Sequence, residues 1–180
     1  MYHYALMTNH VHLILEPTYG GNLAEIMKGV NLSYAQYYKG KYKHIGHFWQ
    51  DRYKSIIVSR DDYLLACGSY VELNPVRAGI VEDPMQFRWS SYGVYAYGKK
   101  DGLVDEHPIY LSLSAEEGER RKRYREFVRG MLKNKAAMKG DMDKRIVYGS
   151  ETFTADVTGK FNIADLIRPK GRPKKDKAGK

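Results

Sequence analysis

Cysteine is almost absent from this sequence. Cys67 stands alone, so no internal disulfide is possible, and a reducing, cytoplasmic setting is expected. No apolar run approaches the roughly 20 residues of a membrane helix, and no membrane association by a span is expected. The first residues, Met1-Tyr2-His3-Tyr4, lack both the basic flank and the apolar core of a signal peptide. No internal repeat is visible. Acidic residues are the minority charge: 21 Asp and Glu face 30 Lys and Arg, a formal net charge of +9. Such a surplus favours polyanions through counterion release. Nucleic acid is the first partner it suggests and an anionic membrane surface the second; a surplus that serves only solubility is the plain alternative.

Tyrosine, by contrast, is abundant at 16 residues. Aromatic rings beside basic residues suit stacking on unpaired bases, although many of these rings must serve the core or the general surface. The hydrophobic share, 43%, is enough for a packed core. A chain of 180 residues makes one domain plus at most a small appendage.

Residues 2–17 read as a β-hairpin. Tyr4, Leu6, Val11, Leu13 and Leu15 are strand formers about a Thr8-Asn9 turn. On its second strand His10, His12 and Ile14 share one face. Asn22 is placed to cap a helix in which Leu23, Ile26, Met27, Val30 and Tyr34 recur at helical spacing, to about Tyr38. Residues 40–46 form a basic loop bounded by glycines, and residues 48–58 look like a strand. Ser59 with Asp62 gives a capping-box pattern for a second helix. That helix carries Tyr63, Leu64, Leu65, Cys67, Tyr70, Val71 and Leu73, and is expected to stop at or before Asn74 because Pro75 follows. Residues 115–135 read as a basic helix with Tyr124, Phe127, Val128, Met131 and Leu132 as its apolar stripe, and residues 139–167 have room for one or two small helices. Trp89 is read as core.

His10 and His12 on one strand face set two imidazoles about 7 Å apart at the backbone, within reach of one divalent ion. Two strand histidines with no ligand are the plain alternative. Tyr70 and Asn74, four apart, face one side of a helix. An asparagine carbonyl is a hard oxygen ligand, so with the histidines it makes a three-ligand site with open positions for a phosphate oxygen. Tyr70 is then a candidate nucleophile toward phosphorus, forming a phosphotyrosine; the alternative is a core aromatic.

Four blocks of sequence resemble the single-strand DNA transposases with a His-hydrophobic-His motif. They are residues 4–14, from Tyr4 to Ile14 with His10-Val11-His12; residues 46–55, Gly46-His47-Phe48-Trp49-Gln50-Asp51-Arg52-Tyr53-Lys54-Ser55; residues 70–81, opening Tyr70-Val71-Glu72-Leu73-Asn74-Pro75; and Trp89-Ser90-Ser91-Tyr92. The likeness is closest to the REP-associated tyrosine transposases, in the same order across residues 2–97. It implies an α+β fold: a ferredoxin-like antiparallel sheet with helices on one face. It implies cleavage of single-stranded DNA beside hairpins with Mg or Mn, through a tyrosine linked to the 5′ phosphate, and strand transfer by reversal. Carried over, His10 and His12 are metal ligands, Asn74 is the third, and Tyr70 is the nucleophile. Relatives of this kind act as monomers or homodimers. A bacterial, nucleoid-associated location is expected.

Family members usually place a strand and a helix before the hairpin. This chain starts almost at the hairpin, so the strand near Ile56 is expected to lack a neighbour, and full activity is expected to need an upstream extension. A transposase copy that holds hairpins without cutting them is the alternative function, and a two-histidine metallohydrolase using water is a third. Three parts are expected: a core over residues 1–97, a mostly helical extension over 98–167, and a disordered basic tail over 168–180. Within the tail, Pro169-Lys170-Gly171-Arg172-Pro173-Lys174-Lys175 resembles an AT-hook, with Arg172 for an A·T-rich minor groove and Lys174 and Lys175 for phosphates; a generic polycation is the alternative. Lys41, Lys43, Arg52, Lys54 and Arg77 are candidate phosphate contacts near the core, and Trp49 and Tyr53 candidate stacking residues.

Overall fold

A turn over residues 7–10 folds strand β1 (His3–Leu6) back onto β2 (Val11–Ile14). The computed structural model describes residues 1–18, 20–134 and 145–163. The hairpin is antiparallel, pairing His3 with Ile14 and Ala5 with His12. These four alternate residues share one face, and three of them (His3, Ala5 and Ile14) are buried. They are covered by helix α2 (Asp62–Arg77). Along the free edge of β1 lies the segment of residues 89–91: Leu6 N–H donates to the Trp89 carbonyl at 2.9 Å and Ser91 N–H to that of Tyr4 at 3.0 Å. The Trp-Ser-Ser-Tyr block is therefore an edge partner for the hairpin.

Helix α1 (Leu23–Tyr42) is capped by Asn22, whose side chain accepts from Ala24 N–H at 2.9 Å. It runs one turn beyond the expected end, through residues read as a loop, and closes on Lys43 in a left-handed conformation. The expected strand over 48–58 shrinks to β3 (Ile57–Val58). The second helix starts later than Ser59: Asp61 is its cap, accepting from Tyr63 N–H, while Ser59 Oγ donates to Asp61 at 2.6 Å. It also runs through Pro75 to Arg77. Proline removes the donor for the Val71 carbonyl. The Asn74 side-chain amide lies 2.9 Å from the Tyr70 carbonyl and 3.4 Å from that of Val71, which offsets the loss and lets the last turn form.

Beyond α2 come a 3-10 turn (Pro84–Gln86), α3 (Tyr92–Tyr97), α4 (Pro108–Leu111), α5 (Glu117–Lys133), β4 (Val147–Tyr148) and α6 (Glu151–Phe161). The fold class is α+β. The ferredoxin-like sheet of the expectation does not assemble among the described residues: the hairpin and β3 lie in separate two-stranded sheets. Nor is β3 without a neighbour. It pairs in parallel with β4, from Ile57 N–H to the Ile146 carbonyl and Ser59 N–H to that of Tyr148.

Two apolar clusters flank α2. Leu64, Cys67, Tyr70 and Val71 face the hairpin with Ala5 and Ile14. Leu65 and Leu73 face α3, α4 and α5, joined by Tyr92, Tyr95, Tyr110, Tyr124 and Val128. The stripe read on residues 115–135 is thus the inner face of α5. Burial pushes the Cys67 thiol up to about 12, so it stays protonated at neutral pH. Trp89 corrects the core reading: it is 50% exposed, with the Arg88 guanidinium 4.3 Å from its ring centre.

Gly68 lets β1 approach α2. A β-carbon there would fall 2.4 Å from His3 Nε2 in a fully buried contact. Alanine gains about 1 kcal/mol in helix propensity, but overpacking a rigid core costs about 1–3 kcal/mol. Gly68→Ala is expected to lose up to about 2 kcal/mol net by these magnitudes, read as a lower urea midpoint.

His107 is buried as the cap of α4, its Nδ1 accepting from Tyr110 N–H at 3.2 Å. Burial, helped by nearby His3, lowers its pKa to about 3. The unfolded imidazole titrates near 6.5. Between these values the unfolded chain binds a proton that the fold refuses, so this contribution is whole above pH 6.5 and is lost toward pH 3. The slope is at most about 1.4 kcal/mol per pH unit. His107→Asn keeps a capping acceptor and removes the titration. Urea midpoints from pH 7 to pH 4.5 are expected to fall less steeply for this variant than for the wild type.

Candidate metal and tyrosine site

The hairpin turn and β2 bring the two expected metal ligands together. His10 Nε2 and His12 Nε2 are 3.1 Å apart, with the rings nearly perpendicular. Two nitrogens each about 2.1 Å from one ion, at angles between octahedral and tetrahedral, would be separated by about 3.0–3.4 Å. The pair therefore has the spacing of ligands to a single divalent ion. His10 Nδ1 lies 2.7 Å from Asn9 Oδ1, which fixes the ring from behind, as an outer partner does for a metal-binding histidine.

Tyr70 comes from the face of α2 turned to the hairpin. Its ring is 6.3 Å from that of His12, edge to face, and the Arg77 guanidinium sits 4.3 Å from its ring centre. Helical spacing explains both: Arg77 lies two turns on from Tyr70, and Ala5, opposite His12, packs under the same helix. Tyr70 is only 5% exposed. Asn74 lies one turn beyond it. Its amide nitrogen is engaged with the carbonyls of Tyr70 and of Val71, the latter freed by Pro75, which leaves Oδ1, the metal-seeking atom, outside those bonds. Among the described residues no group of three or more His, Cys, Asp or Glu gathers to hold a metal.

The other expected DNA contacts are dispersed. Arg77 stands at the tyrosine. Lys41 and Lys43 belong to the exposed end of α1; Trp49 is half-buried, its Nε1 donating to the Asn31 carbonyl at 2.9 Å. Arg52, Tyr53 and Lys54 lie on the exposed irregular stretch before β3. Arg172, Lys174 and Lys175 lie outside the described residues.

Sequence reading missed a buried polar centre on the opposite side of α2. The Glu72 carboxylate is fully buried. It accepts from Ser91 Oγ at 2.6 Å and Tyr124 Oη at 2.6 Å, and lies 2.9 Å from His3 Nδ1. His3 stacks on Tyr95 at 4.2 Å. The missed signal was a charged residue inside an otherwise apolar helix, which must find partners.

A strand-borne pair of imidazoles thus stands beside a helical tyrosine in a strongly basic chain. Residues 1–74 match the family model described as "Transposase IS200 like", a span that ends on Asn74 and takes in His10, His12 and Tyr70. Over these residues the chain is similar to that transposase family. No curated protein and no solved structure matches the chain. Among the described residues no helix is long and apolar enough to cross a membrane.

Proposed function

We propose that the protein is a metal-dependent nickase and strand transferase for single-stranded DNA, cutting beside hairpins through Tyr70. The observation that carries this reading is the 3.1 Å approach of His10 Nε2 to His12 Nε2 with the Tyr70 ring beside them. The two imidazoles, with Asn74 Oδ1 as third donor, would hold Mg or Mn; when bound, the ion polarises the scissile phosphate. Tyr70 Oη attacks phosphorus, forming the P–Oη bond while the P–O3′ bond breaks. The phenolic proton ends on the departing 3′ hydroxyl, and the 5′ phosphate stays on the tyrosine. Arg77, over the tyrosine ring, supplies positive charge where the phosphate enters. Attack by a new 3′ hydroxyl reverses the step and joins strands. The tail, through Arg172, Lys174 and Lys175, adds salt-sensitive affinity for duplex DNA.

The low exposure of Tyr70 favours a second reading, a hairpin-binding protein that does not cut. Covalent trapping separates the two. Labelled single-stranded hairpin DNA from beside the gene is incubated with the protein and Mn or Mg, then run on a denaturing protein gel. A metal-dependent shifted band is expected. Hairpin binding with neither a band nor a cleaved strand in either metal would establish the binding-only reading.

A further inference from the structure

Helix α1 has 20 residues, yet only Met27 is buried. Of the residues that recur at helical spacing, Ile26, Val30 and Tyr34 are exposed, and the C-terminal half of the helix adds further open rings: Tyr34, Tyr37 and Tyr42 are 46%, 55% and 56% exposed. Phe48 and Trp49 close one flank. Phe48 packs 5.3 Å from Tyr34 and 4.7 Å from Tyr38, ring centre to ring centre, and Tyr38 in turn lies 4.6 Å from Tyr42. Lys41 stands in the middle of the strip. Its Nζ donates to Tyr37 Oη at 2.9 Å and lies 5.4 Å and 5.3 Å from the Tyr37 and Tyr42 ring centres. Residues 28–54 hold six Lys and Arg against one acidic residue. Among the described residues no ion pair engages Lys28, Lys39, Lys41 or Lys43.

We propose that the C-terminal half of α1, backed by Phe48 and Trp49, is a stacking platform for unpaired nucleic acid, separate from the histidine and tyrosine site. The chemistry singles out this ligand. Unpaired strands alternate flat bases with phosphates, and here open rings flank the Lys41 ammonium, which no ion pair engages among the described residues. A duplex hides its base faces, so exposed rings would gain little from it. A membrane-binding helix sets its cations on the face opposite its apolar stripe, whereas Lys41 lies among the rings. The platform would hold the strand that runs away from a hairpin. It rests on the DNA-processing reading only for the choice of DNA over RNA.

The test uses the full chain in EDTA with a fluorescent oligo-dT, which has no hairpin and cannot be cut without metal. Anisotropy titrations compare the wild type with Tyr37→Ala, Tyr42→Ala, Tyr37→Phe and Lys41→Gln. Each alanine variant is expected to weaken binding about tenfold, within the range for a lost base–ring stack, with unchanged helicity by circular dichroism. Tyr37→Phe keeps the ring and is expected to keep the affinity. Lys41→Gln is expected to lower the slope of log affinity against log salt by about 0.7. Wild-type affinity in both alanine variants would overturn the platform. So would equal losses on a blunt duplex, no oligo-dT binding by the wild type, or losses confined to phosphatidylserine vesicles. Because metal is absent, these results stand whether or not Tyr70 cuts DNA.

Discussion

Tyr70→Phe is expected to give no covalent adduct with hairpin DNA in Mn or Mg, while melting near the wild-type temperature and still binding the hairpin. The substitution deletes one oxygen. The ring that packs against His12 and beneath the Arg77 guanidinium remains, as do its apolar neighbours in the hairpin-facing core. What disappears is the only atom of this side chain that can form an ester with phosphorus, so the loss is complete in kind and does not depend on geometry. The readouts are a denaturing gel for the adduct, calorimetry for the fold and anisotropy for binding. An adduct that persists would place the nucleophile on another residue. Cleavage that persists without an adduct would point to water, and to the metallohydrolase chemistry that two histidines can also support.

Glu72→Ala is expected to be the most damaging single change to stability, at about 3–5 kcal/mol. A buried carboxylate is costly to desolvate, and its removal relieves that cost. Against this, the variant strands Tyr124 Oη and His3 Nδ1, loosens Ser91, and leaves a cavity among four elements. Each orphaned buried polar group costs about 1–3 kcal/mol, so the losses exceed the relief. Glu72→Gln keeps the volume and one good acceptor, and is expected to lose about 1–2 kcal/mol. Urea denaturation of the three proteins measures both. Equal midpoints for Glu72→Ala and wild type would show that the carboxylate does not hold α2 in place. Glu72 lies two residues from Tyr70 on the other side of the same helix. The network therefore sets which way the tyrosine faces, through β1 at His3 and α5 at Tyr124.

The candidate site was readable because its parts are local. A His-x-His on a strand and a Tyr-x-x-x-Asn on a helix put their side chains on one face by geometry alone, and a collinear set of blocks supplied the pairing between them. Helix ends were read less well. Pro75 was given the power to stop α2, but Asn74, judged only as a ligand, also covers the carbonyl that proline leaves bare. The exposure of Val30 and Tyr34 gave no hint in the sequence, because a stripe at helical spacing looks the same whether or not anything covers it. The partner of β3 could not be foreseen: two residues of strand at 147–148 carry no periodic signal. Glu72 was passed over because each of its partners lies at least 19 residues away in sequence.

That two-residue ladder between β3 and β4 also has a kinetic meaning. Joining Ile57 to Val147 closes a long loop, and the entropy of closing it must be met before the backbone hydrogen bonds of this short ladder return anything. The hairpin and its helix are assembled from contacts much closer in sequence. Long-range pairings of this kind form late and open early. The pairing of β3 with β4 is therefore expected to form after the hairpin has met α2, and to open before they part.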